Sequence, residues 1–326
     1  MTPSSDPTTA GFLVREIGSF HIGGRQFTLS GLPIKTISFT AGMEPIEVDP
    51  NGEFEVEQMY VQYIKLAQPK SKLPILLWHG GSMSGVAWET KPDGEPGWQQ
   101  FFLRAGYDTY VSDAVERGRA SWAEIYDGQP MFRSKKQAWE LYRIGRLYEN
   151  GGKREAFENT QFPVEAFDQL AKQAVPRWTT SDAPTQAAYD ALVQKIGPCI
   201  IIAHSQGGNF AYRAALNAPN QVKAVVAIEP SGAPDPKQID VAKLKGIPHL
   251  AVFGDNLATS ELWQASAQAS SRYFTALSKA GVAATWLDLP AQGIHGNSHL
   301  PMMDRNSDVV ARRVLDWIAE YVTASS

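Results

Sequence analysis

The chain begins its patterned region with apolar and polar residues in period-two alternation. FHIGGRQFTLSG (20–31) places such residues on either side of Gly23-Gly24, and the glycine pair predicts a β-hairpin turning there. EFEVEQMYVQYIKL (53–66) continues the alternation and predicts a long, half-exposed strand. From residue 73 the texture changes to short apolar runs ending in small or polar residues. These are LPILLWHGG (73–81), YDTYVSD (107–113), CIIIAHS (199–205), VKAVVAIEP (222–230), PHLAVFGD (248–255) and ATWLDLP (284–290). Helical periodicity fills most of the intervals, in WQQFFLRAG, NFAYRAALNA, SELWQASAQASSRYFTALSKAG and DVVARRVLDWIAEYV. Strands alternating with helices predict an α/β protein with a mostly parallel central sheet covered on both faces, preceded by antiparallel strands.

One interval breaks this rhythm. Between Asp113 and Cys199 no strand pattern stands out, while SKKQAWELYRIGRLYE (134–149) and VEAFDQLAKQAV (164–175) read as helices. So long a gap between core strands is not a bare loop. It predicts a helical cap inserted over 116–182 and then a scaffold helix over roughly 183–196. The expected organisation is a flexible leader (1–10), a core made of 11–115 and 183–326, and the cap between them.

Composition narrows the function classes. Thirty Lys and Arg against 34 Asp and Glu leave a net charge of -4, and the basic residues are scattered. Neither nucleic acid nor an anionic membrane surface is an expected partner. No apolar run is long enough for a membrane span. The single cysteine, Cys199, excludes an intrachain disulfide and reads as a small core residue. MTPSSDPTTAG lacks an apolar segment, so no signal peptide is expected in the chain as given; a cytoplasmic or a mature periplasmic protein fits. The pattern leaves a homodimer open. With no HExxH pair, Cys/His cluster or phosphate loop in context, neither metal nor organic cofactor is expected.

Candidate chemistry gathers at strand ends. In AHSQGG (203–208) a small-x-Ser-x-Gly pattern joins a β-branched strand to an amphipathic helix. That context turns the chain sharply and lifts the hydroxyl of Ser205 clear of the sheet, as a nucleophile requires. Ala203 stands where the first glycine is usual. The N–H of Gln206, at the helix start, and that of Gly81, in the His-Gly-Gly loop WHGGSMSG (78–85), are candidate oxyanion donors. A serine needs a base, and the loop before the last helix, QGIHGNSHLPMMDRN, offers His295 and His299, with Asp304 or Asn306 as a helix cap. His204 is a neighbour of the serine rather than its base. The orienting acid is open between Asp255, in the commoner place for such folds, and Glu229 one strand earlier. Met83 and Trp88, with Trp122, Trp139 and Trp178 of the cap, are candidate pocket residues for a small apolar or aryl group.

Taken together, HGGSMSGVAWETKPDGEPGW, GYDTYVSDAVERGRAS, AHSQGG, VAIEPSG, VFGDN and GIHGNSHLPMMDRN resemble a small family of bacterial α/β-hydrolase-fold esterases, in order from about residue 11 to the C-terminus. The resemblance implies an α/β-hydrolase fold with a Ser-Glu-His triad: Ser205 as nucleophile, Glu229 as acid and His299 as base. It also implies Gly81 and Gln206 as oxyanion donors. The chain departs from some relatives, which carry a Cys-Cys pair in place of Gly81-Ser82. The expected activity is serine carboxylic-ester hydrolysis on a small-molecule substrate. A lactonase, thioesterase or amidase using the same triad, or a non-catalytic binding member, are the alternatives. Dehalogenase and epoxide-hydrolase chemistry needs an aspartate at position 205.

Overall fold

The computed structural model describes residues 11–122, 125 and 128–322; the leader expected over 1–10 lies outside them. In chain order the strands are β1 (Val14–Leu29), β2 (Lys35–Ile37), β3 (Ile46–Val48), β4 (Gly52–Leu66), β5 (Ile75–Trp78), β6 (Thr109–Asp113), β7 (Gly145–Tyr148), β8 (Arg154–Ala156), β9 (Cys199–His204), β10 (Val222–Ile228), β11 (His249–Phe253) and β12 (Ala284–Asp288). The helices are α1 (Val86–Glu89), α2 (Trp98–Ala105), α3 (Lys135–Leu141), α4 (Phe167–Lys172), α5 (Asp182–Ile196), α6 (Gln206–Asn217), α7 (Glu261–Lys279) and α8 (Ser307–Tyr321). One eight-stranded sheet has the order β1-β4-β6-β5-β9-β10-β11-β12. β5, β6 and β9 to β12 run parallel, whereas β4 is antiparallel to β6 and β1 to β4.

β5, β9, β10 and β11 read as near-continuous apolar runs because both faces are covered. Along β5, Ile75 and Leu77 enter one core with Trp88, Trp98 and Val314, while Leu76 and Trp78 enter the other with Tyr189, Tyr212 and Leu277. Cys199 belongs to the second core, where burial pushes its thiol up to about 12. The scaffold helix expected near 183–196 is α5.

At residues 20–31 the chain does not turn back. β1 continues through Gly23-Gly24 as one strand and pairs with β4 along its length. The glycines, at φ 70° and 85°, kink the strand where Glu57 opposite also has positive φ. A Cβ on Gly23 would lie 2.9 Å from Ala188 Cβ, so the pair serves close packing on α5 rather than a turn. The long partner offered by β4 outweighs the local turn signal.

The 116–182 segment also differs from its helical expectation. α3 ends at Leu141, Arg143 takes φ 53°, and the chain then pairs β7 with β8. Over 164–175 only α4 and one preceding 3-10 turn form. α3 has a local start signal, a Ser134/Gln137 capping box. Its end is set by a distant partner of Arg143, described below. The base of the segment is tied by Glu116, whose Oε1 accepts from the Trp178 N–H at 3.0 Å and the Ser181 hydroxyl at 2.8 Å.

Candidate active site

Ser205 directly follows β9 and stands at φ 51°, ψ -115°. A non-glycine residue in such a conformation costs on the order of 1–3 kcal/mol and persists only where its surroundings impose it. Here they do: a Cβ on Gly207 would lie 2.8 Å from the His79 carbonyl oxygen, and one on Gly208 would lie 3.0 Å from Pro230 Cβ. The glycines therefore let α6 press against the ends of β5 and β10. Gln206 is the first residue of α6, so its N–H has no partner within the helix.

Glu229 follows β10 immediately, also at positive φ (49°), and His299 lies in the loop between β12 and α8. Ser205 Oγ is 3.1 Å from His299 Nε2, and His299 Nδ1 is 3.1 Å from Glu229 Oε2. All three side chains are buried. A carboxylate only accepts, so the proton sits on Nδ1 and leaves Nε2 free to accept from the serine. Asp255 and His295 lie outside this chain of contacts. They face each other at 3.7 Å, and the His295 side chain is 60% exposed. Asp255 accepts from the Gly296 and Asn256 N–H groups, bracing the start of the histidine loop.

The rest of that loop is held from inside. Asp304 accepts from Asn297 Nδ2 and from the Ser298 N–H and hydroxyl, at 3.0, 2.8 and 2.8 Å. Burial raises its pKa to about 7 despite these bonds. Asp304 is thus a loop anchor rather than a helix cap, and Asn306, at the cap position of α8, bonds Asn297 instead. The His299 N–H donates to the Tyr142 carbonyl, and its carbonyl pairs with His204 Nε2, both at 2.8 Å. The Trp263 ring stacks on the His299 ring at 3.8 Å. His204 therefore supports the histidine loop through its backbone. His79, bonded to the Gly80 carbonyl and the Ala114 N–H, joins two loops in the same way.

Arg143 is the functional neighbour that sequence reasoning missed. Its Nη1 and Nη2 reach the two oxygens of Glu229 at 2.9 and 2.7 Å, and its Nε donates to the Asp255 carbonyl at 2.9 Å. Both partners are fully buried. Burial by itself would raise Glu229, but the Arg143 charge and the His299 contact bring it down to about 2. Burial lowers His299 to about 4 against the pull of Glu229. Arg143→Leu would leave a buried carboxylate without its counter-charge and is expected to lower stability by about 3–5 kcal/mol. Chemical denaturation measures this, and an unchanged midpoint contradicts it. No motif marks Arg143: it is one of two arginines in a helix-like run, brought to Glu229 by the reversal after α3.

Ser205, His299, Gly81 and Gln206 line one cavity of about 280 Å³. The pocket residues expected from the sequence, Met83, Trp88, Trp122, Trp139 and Trp178, do not line it. Trp88 and Trp139 are fully buried, Trp139 meeting Phe167 edge-on at 5.0 Å, while Trp122 and Trp178 pair with each other at 5.0 Å. Met83 lines a neighbouring cavity of about 340 Å³. The apolar wall beside Ser205 comes from Leu141, Tyr142, Leu262 and Trp263 instead. At Gly81 the space a side chain would fill is taken by Arg177, whose Nη1 is 3.1 Å from the Cβ position, and by Gln206.

No protein-family model matches the chain. A solved bacterial esterase is 36% identical over 97% of this chain and 99% of its own, with a TM-score of 0.83. A probable secreted lipase, phiG, from a fungal species (strain ATCC 74256) is 27% identical over 82% of this chain and 87% of its own length.

Proposed function

The chain belongs to the family of that bacterial esterase, with the α/β-hydrolase fold, and from this premise we propose that it hydrolyses small to medium carboxylic esters through an acyl-enzyme on Ser205. The observation that carries the reading is the unbroken path from Ser205 Oγ through the His299 ring to Glu229, two contacts of 3.1 Å. His299 Nε2 takes the hydroxyl proton as Oγ attacks the ester carbonyl, and Glu229 steadies the imidazolium that forms. The Gly81 and Gln206 N–H groups receive the developing oxyanion. His299 then hands its proton to the departing alcohol, and water repeats the sequence to release the acid. The 116–182 segment acts as a cap and supplies part of the wall that holds a short alkyl or aryl group, through Leu141 and Tyr142.

Reaction with diethyl para-nitrophenyl phosphate should stop turnover of para-nitrophenyl esters and leave one diethylphosphoryl group on the Ser205 peptide. Full activity after this treatment, or no turnover of any short-chain ester, overturns the reading. The acid limb of kcat/KM should also lie well below the ordinary histidine value of about 6.5. The base works only when neutral, and burial holds His299 down at about 4, so activity falls as pH drops toward that value.

A further inference from the structure

The Ser205 cavity carries two guanidinium groups that the proposed ester chemistry does not use. Arg133 and Arg177 both line it. Arg133 shares the lining of this cavity with Ser205 and His299. Arg177 reaches over Gly81, its Nη1 3.1 Å from where a Cβ would stand. The Nε of each arginine is buried without a hydrogen-bond partner.

Neighbouring cations are treated differently. Arg143 is matched by Glu229, and Lys135 by Asp168. Arg133 faces no acid within ion-pair distance among the described residues, and Arg177 has only Asp182 at 3.8 Å, a side chain 62% exposed that also accepts from Gln206. Two like charges beside one small cavity repel each other unless an anion lies between them, and a planar guanidinium matches a carboxylate edge to edge. Arg133 also lines two further cavities of about 340 and 700 Å³.

We propose that Arg133 and Arg177 form an anion subsite, and that the esters cleaved at Ser205 carry a carboxylate a few bonds from the scissile carbonyl. The proposal rests on the esterase reading of Ser205 and adds the substrate class. The carboxylate belongs either to the acyl part, as in a dicarboxylic half-ester, or to the alcohol part, as in an ester of a hydroxy acid.

The test compares para-nitrophenyl hemiglutarate with para-nitrophenyl pentanoate, in which a methyl group replaces the distal carboxylate. The pentanoyl ester of glycolic acid against ethyl pentanoate tests the alcohol side. The parent should favour the charged member of at least one pair. That ratio of kcat/KM should fall about 10- to 100-fold in the Arg133→Gln/Arg177→Gln double variant, the factor expected for lost hydrogen bonds to a charged group. The two single variants apportion the loss, and lysine at either position should keep part of it. A parent ratio at or below one for both pairs, or one the double variant leaves intact, overturns the proposal. Calorimetric titration of Ser205→Ala with glutarate and with pentanoate reads the subsite without turnover. Tighter glutarate binding alongside no hydrolysis of any ester would keep the subsite and remove the esterase reading. Ester turnover without a preference for charge would do the reverse.

Discussion

Ser205→Ala is expected to lower kcat for ester hydrolysis by about 10⁵–10⁶-fold, the scale seen when a serine nucleophile is removed from an intact triad. The alanine keeps the buried packing at the end of β9 and loses only the hydroxyl that faces His299 Nε2 at 3.1 Å. The fold should therefore survive, with its unfolding transition close to the parent's. What remains is the oxyanion loop and the cavity wall, which alone sustain about 10³–10⁴-fold over water in comparable sites. The single cysteine, buried at the far end of β9 with a raised pKa, offers no replacement nucleophile. A loss of less than about tenfold would place the chemistry on another residue.

Glu229→Gln should cost about 10⁴-fold in kcat, whereas Asp255→Asn should cost less than about tenfold. The glutamine is isosteric, but its amide faces three donors at once, Arg143, His299 and the Gly254 N–H. If its oxygen stays with the guanidinium, its NH₂ must point at Nδ1, which then has to accept. The ring proton moves to Nε2, and the base can no longer take a proton from Ser205. The substitution also leaves the buried Arg143 charge with less compensation, so a fall in thermal midpoint should accompany the kinetic loss. Asp255 touches neither ring nitrogen of His299; it braces the loop at Gly296. Measuring kcat for both variants on one para-nitrophenyl ester separates the two acids. Full activity in Glu229→Gln with collapse in Asp255→Asn would return the orienting role to Asp255.

Much of the fold was legible because its signals are local. Apolar runs of strand length, separated by amphipathic helices, announce a covered parallel sheet whatever its order. AHSQGG carries its geometry in adjacent residues: the strand before, the glycines after, and the serine between. The Gly23-Gly24 pair misled for the opposite reason. Its turn signal was genuine, but the choice between turn and kink depended on β4 and on Ala188 of α5, both distant in sequence. The aromatic cap residues misled similarly, since helical spacing does not tell a ring facing the cavity from one packed in its own segment.

The sequence alone determined the layered architecture, the candidate nucleophile, the two loops that flank it, and a short choice of bases and acids. These follow from backbone preferences and from patterns a few residues long. The tertiary structure decided the rest. It joined Ser205, His299 and Glu229 within hydrogen-bonding distance, and it set Asp255 against His295 and Asp304 beneath the loop. It brought Arg143 onto Glu229 from 86 positions away and gathered Arg133 and Arg177 around the Ser205 cavity. Such pairings are fixed by where chain reversals place a few side chains in three dimensions, and electrostatics acts through space rather than along the chain.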